Sequence, residues 1–125
     1  LISSSRLKAI RIREDKHIIA FGCEYEAGES WQKGGAGGRE KKLELNAGEY
    51  FRELTIGISD DKKATLVFYI KLVTSEGRVL EAGTPNATMI AFETPPGQHI
   101  VSFYGRSAKA IDKLGPIFAP DFGGI

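Results

Sequence analysis

Cysteine is almost missing from this chain: Cys23 is the only one in 125 residues. A single thiol cannot close an internal disulfide, so a disulfide-stapled scaffold is excluded and the fold must rest on a hydrophobic core. This scarcity mildly favours a reducing compartment. Long apolar runs are missing as well. None approaches the roughly twenty residues a helix needs to cross a bilayer, so no membrane span is expected. Charge of one sign is not in excess either: 17 Lys and Arg face 16 Asp and Glu, a formal net charge of +1. Neither nucleic acid nor an anionic membrane is implied as a partner. The opening residues, LISSSR, lack the basic and apolar regions of a signal peptide. They also lack an initiator Met, as a processed form or an excised domain would. Cytoplasmic and secreted locations both stay open.

Glycine is abundant, 15 residues clustered at turns. Hydrophobic residues at 42% and charged residues at 26% are ordinary for one globular domain. The informative signal is alternation. Ile10 and Ile12 alternate with Arg11 and Arg13. Ile19, Phe21, Cys23 and Tyr25 fall on one face, as do Leu54, Ile56 and Ile58, and Leu66, Phe68, Ile70 and Leu72. A period of two marks half-buried strands. Glycine-rich or charged turns separate them every eight to twelve residues, and no ten-residue helical period intervenes. The pattern predicts an antiparallel all-β domain, with Cys23 as a small core residue.

Several motifs invite chemistry and fail on inspection. Gly34-Gly35-Ala36-Gly37-Gly38 is not a phosphate loop, because Arg39-Glu40-Lys41-Lys42 follows instead of Lys-Ser/Thr and a helix. It reads as a flexible turn, with a strand resuming at Leu43. Asp60 and Asp61 have no further metal ligand at useful spacing and read as a hairpin tip. His17 and His99 also stand apart from other ligands. Asn86-Ala87-Thr88 matches the glycosylation sequon, which matters only in a secreted protein. Nucleophile elbows, zinc patterns and dinucleotide fingerprints are absent, so neither an enzyme nor a cofactor is expected.

Residues 100–120, IVSFYGRSAKAIDKLGPIFAP, read as strand, polar loop, strand, with Gly105 ending the first strand and Leu114 opening the second. The loop between them offers a carboxylate, Asp112, among small residues that leave backbone N–H groups accessible. Such an array suits a ligand rich in hydroxyls. A second reading stands beside it: residues 107–114 form a short helix by propensity, with Asp112 an ion-pair partner of Lys109 or Lys113.

Three stretches together resemble the jacalin-related lectins. Residues 7–28 match that family's early hairpin. Residues 34–58 carry GG-x-GG and then L-x-x-GEY-x-x-x-x-x-x-G. Residues 100–117 carry I-V-x-F-x-G-R-S and D-x-L-G-x-I. The resemblance implies a β-prism of three Greek-key sheets over residues 7–120. Residues 1–6 would be a remnant strand or linker, and residues 121–125 a tail. It implies a lectin, mannose-binding members included, that holds a mono- or oligosaccharide in a shallow, metal-free pocket. The family's G-x-x-x-D loop falls on Ala108, Lys109, Ala110, Ile111 and Asp112. Asp112 becomes the acceptor for sugar hydroxyls, and the N–H groups of Lys109 and Ala110 become donors. A second pocket loop falls near Asp60 to Thr65.

The departures are specific. Ala108 stands where the family has glycine, and the flanking aromatic is replaced by Lys109 and Ala110. With Arg106 and Lys113, Lys109 makes the rim basic, a charge that would favour acidic or sulfated glycans or would merely solvate the loop. The family's glycine-rich first strand has no full counterpart here; the tail's Gly123 and Gly124 are candidates to replace its loop. An exposed sheet edge would call for the tail, a second protomer or a tandem domain. A protein-interaction scaffold that has lost sugar binding is the alternative function.

Overall fold

The computed structural model describes residues 6–61, 64–86, 88–107 and 109–120. Among these, alternation yields ten strands and no helix. β1 (Leu7–Glu14), β2 (Ile18–Tyr25), β3 (Ser30–Gly34) and β4 (Arg39–Glu44) form an antiparallel sheet in the order β3-β2-β1-β4. β5 (Phe51–Asp61), β6 (Ala64–Thr74), β7 (Val79–Gly83) and β8 (Met89–Glu93) repeat that connectivity, with β6 and β8 on either side of β5 and β7 beyond β6. In each unit the fourth strand returns to lie beside the first, which is the Greek key. β9 (Gln98–Ser107) and β10 (Ile111–Pro120) form a hairpin joined to β5 by the pairing of Phe51 with Ile100. The architecture is the all-β prism that the resemblance implied. Among the described residues its third unit consists of this hairpin.

The inner faces of the three units meet in one apolar cluster. Ile10, Ile12, Phe21, Leu54, Ile70, Leu72, Ile100 and Leu114 all belong to it. Each such side chain contributes roughly 1.5–3 kcal/mol when fully buried. Cys23 lies in the same cluster, fully buried. Burial pushes its thiol far above the ordinary range, so it is packing, not chemistry.

Two buried carboxylates tie the units together. Glu14, at the end of β1, accepts the Gly83 N–H at 3.0 Å and the Arg39 Nε at 3.0 Å, with Lys41 Nζ at 3.7 Å. Burial alone would raise its pKa. The Gly83 amide and the two cations outweigh that and hold it below its ordinary value. Glu49 accepts from Arg78 Nε at 3.0 Å and from the Asn46 N–H at 2.8 Å. The Arg78 guanidinium, working against burial, brings its pKa down to about 2. A third tie is neutral. The Tyr25 hydroxyl and Ser102 Oγ share a buried hydrogen bond of 2.7 Å, and Trp31 Nε1 donates to Tyr25 Oη at 3.2 Å. This chain links β2 and β3 to β9.

Three expectations need correction. β4 begins at Arg39, not Leu43, because Arg39 to Glu44 pair in register with Glu14 to Ala9 of β1. Only Leu43 of β4 is buried, so no alternation advertises the strand. β9 passes through Gly105 to Ser107, and β10 opens at Ile111. The short helix over 107–114 therefore does not form. Helix propensity is a weak preference, and cross-strand pairing from Ser107↔Ile111 to Leu114↔Gly105 prevails. Finally, Leu66 and Phe68 do not share the core face of Ile70 and Leu72: the β5–β6 pairing shifts between Gly57 and Ile58, with Phe68 the extra residue, so Val67 joins Ile70 and Leu72 in the core.

Two outcomes test these ties. A carboxyl held below its unfolded pKa of about 4.5 stabilises the fold above that pH and loses its contribution as the pH falls toward its folded value. Denaturant midpoints should therefore drop between pH 4.5 and about 2, and Glu49→Gln should flatten that slope while lowering stability at pH 7. Tyr25→Phe should cost about 1–2 kcal/mol in urea unfolding, because the buried Ser102 hydroxyl loses its partner.

Candidate saccharide-binding site

The β9–β10 loop carries the candidate acceptor. Ser107 and Ile111 pair across its base, and Lys113 then pairs with Arg106. Two steps on β10 oppose one on β9, so Asp112 is the extra residue of a β-bulge. Bulges re-aim a side chain and occur beside functional sites. Here the bulge leaves Asp112 without a cross-strand partner. Its side chain is 28% exposed, and Arg106 Nε lies 3.4 Å from Oδ1. Gly105 makes room for this irregularity: any Cβ there would collide with the Lys113 carbonyl.

The loop itself is neither helix nor strand at Lys109 and Ala110. Their N–H groups donate to no described backbone acceptor. Lys109 is exposed and Ala110 half-buried. The carboxylate and the two amides thus sit in one short stretch at one end of the prism.

The neighbour of this stretch was not visible in the sequence. The glycine run between β3 and β4 lies against it, so close that a Cβ on Gly35 would come within 2.6 Å of the Lys109 carbonyl oxygen. The run is a turn between strands, as expected, but it is pinned. Arg13 donates to the Gly37 and Gly38 carbonyls at 2.9 and 3.1 Å, and the Gly35 N–H donates to the Ile19 carbonyl at 3.0 Å. Gly34 and Gly38 have φ of 109° and 76°, the region that glycine tolerates best. Nothing in the local sequence announces this, since Arg13 acts from 24 and 25 residues away.

Of the remaining candidates, Thr65 is placed by its backbone. Thr65 opposes Asp60 in the β5–β6 pairing; its side chain lies outside the described residues. β6 packs beside β10. Ala108, Gly123 and Gly124 also lie outside the described residues. His17 rests against the Phe68 ring at 5.9 Å between centroids, and buried His99 against Tyr50 at 5.2 Å; both pack on rings.

Aromatic surface is nearer the loop than the loop sequence implied. Tyr104 pairs with Gly115 on β10. A Cβ on Gly115 would lie 2.5 Å from the Tyr104 ring, so the ring covers the glycine. Tyr104 and Trp31 share a groove of about 350 Å³ with Arg106, Lys113 and Lys33.

Comparison with known proteins agrees with this architecture. The family model of the Jacalin-like lectin domain matches residues 2–117. Horcolin from Hordeum vulgare is 29% identical over 99 residues, 78% of this chain. The match spans 65% of the length of that relative. Among solved structures, a Malaysian banana lectin is similar at a TM-score of 0.86 and 21% identity, over 97% of this chain and 89% of that one. A mannose binding jacalin related lectin from Ananas comosus is similar at 0.83 and 25%, over 97% and 88%. Two repeated Greek keys, a closing hairpin and a family match from residue 2 to 117 lead to one assignment: this chain belongs to the jacalin-like lectin domain family.

Proposed function

We propose that the domain binds saccharide hydroxyls at the β9–β10 loop, by hydrogen bonding alone. One observation carries this reading. Asp112 is the unpaired residue of a bulge with a partly exposed carboxylate, and the amides of Lys109 and Ala110, just before it in the same short loop, have no described backbone acceptor. An ionised carboxylate accepts on both oxygens, so vicinal hydroxyls of one sugar ring match it, while the Lys109 and Ala110 N–H groups donate to ring or hydroxyl oxygens. Ala108, Thr65, Gly123 and Gly124 complete the proposed lining. The Ananas comosus lectin, at 25% identity, is described as mannose binding, which makes an α-mannoside the first probe.

A few hydrogen bonds, each netting about 1 kcal/mol, give a weak single site, with Kd in the high micromolar to millimolar range. Useful avidity then requires several sites, in a homo-oligomer or a tandem chain. One observation favours the scaffold alternative: Arg106 already faces Asp112. At 3.4 Å and 73% exposed, this is a loose surface pair, worth about 0–1 kcal/mol, and sugar hydroxyls can compete with it.

Asp112→Asn should lower affinity for methyl α-mannoside at least tenfold in calorimetric titration, with an unchanged melting temperature. Equal binding by the variant removes the site assignment, and a glycan array blank for the folded wild-type domain favours the scaffold. Gly35→Ala should push the glycine run off the Lys109 carbonyl. It is expected to weaken the same binding severalfold while costing no more than about 1–3 kcal/mol of stability.

A further inference from the structure

The groove beside the loop has apolar walls and a basic rim. Its rim carries Lys33 from β3, Arg106 from β9 and Lys113 from β10, with Trp31 as one wall. Among the described residues no carboxylate lines it. Neither Lys33 nor Lys113 pairs with a described carboxylate, and Arg106 makes only its loose contact with Asp112. Moreover, Arg106 and Lys113 are direct cross-strand partners. Like charges placed opposite one another destabilise a sheet; the Asp112 carboxylate, 3.4 Å from Arg106, offsets part of this, and an anion between Arg106 and Lys113 would relieve the rest.

We propose that this groove is a subsite for a sulfate ester on a saccharide; the proposal rests on the Asp112 reading and extends it. The two sites are contiguous, since Ile111 and Lys113 line the groove and flank Asp112 in the chain. An oligosaccharide seated with one ring on Asp112 places a neighbouring ring in the groove. Trp31 and Tyr104 offer apolar surface to that ring. The indole is fixed by its bond to Tyr25, and Tyr104, 52% exposed, lies over Gly115. A sulfate ester spreads one negative charge over three terminal oxygens, one for each of three cationic side chains from three strands. Lysine acts as a point charge with rotatable donors, which suits a tetrahedral group better than a planar carboxylate. The three-sided arrangement of cations, not charge alone, therefore favours the sulfate over a sugar carboxylate.

The test compares a heparin-derived tetrasaccharide with its desulfated counterpart, which keeps the carboxylates, and uses methyl α-mannoside as a neutral reference. Wild-type domain should prefer the sulfated tetrasaccharide at least tenfold at low salt, with the preference shrinking as ionic strength screens it. The doubly substituted Lys33→Gln, Lys113→Gln domain should lose that preference and keep its mannoside affinity within twofold. These lysines are exposed, and thermal melting checks the fold. Equal wild-type affinity for the two tetrasaccharides overturns the subsite, as does a preference that survives both substitutions. Desulfated ligand binding as tightly as sulfated, with that binding lost in the double variant, assigns the groove to carboxylates and overturns the sulfate. If Asp112→Asn leaves mannoside binding intact, the Asp112 reading fails by itself, whatever the sulfate comparison gives.

Discussion

Three antiparallel units bury their inner faces in one shared core, and that shared burial decides where every loop must emerge. Ile10 and Phe21 from the first unit, Leu54 and Ile70 from the second, and Ile100 and Leu114 from the hairpin belong to the same cluster. Side chains alternate strictly across a strand, so a slip of one residue would turn an inner face outward. Where the pairing does shift beside the core, as between Gly57 and Ile58, a bulge takes up the extra residue. Loops of different units meet at the ends. There the glycine run lies on the β9–β10 loop, and Glu14 of β1 meets Gly83 of β7.

Polar groups between the units serve alignment more than gross stability. A buried ion pair loses much of its attraction to desolvation, but breaking one leaves an uncompensated charge. Glu14 and Glu49 each combine a cation with a backbone N–H. Misaligned units would forfeit both partners at once. The Trp31–Tyr25–Ser102 chain does the same without charge, and it sets the indole where the groove needs a wall.

The site is a local departure from regular pairing. A perfect ladder would align Asp112 against β9; the bulge frees it instead. Gly105 permits the bulge, Gly115 accepts the Tyr104 ring, and Gly35 lets a distant turn approach the Lys109 carbonyl. Each of these glycines marks a place where backbone or ring comes too near for a side chain. The rim is basic in a chain whose net charge is only +1, so the sign of the local field owes nothing to overall composition. It comes from three strands that each bring one cation to the same groove.

Alternation and turn chemistry by themselves determined the all-β class, most strands and the core membership of residues such as Phe21, Cys23 and Leu72, because period-two patterning is written into consecutive residues. The family motifs added the prism and pointed to Asp112. What escaped local reading had nonlocal causes. β4 extends over Arg39 to Lys42 because β1 pairs with it, and Ser107 and Ile111 to Leu114 are strand, not helix, because β9 and β10 pair across the hairpin. Arg13 pins the glycine run from 24 and 25 residues away, and Trp31 reaches the groove only because β3 ends up beside β9. A pattern of neighbours can specify a strand. Only the closed tertiary structure decides which strands face each other, and hence which charges and rings share one surface.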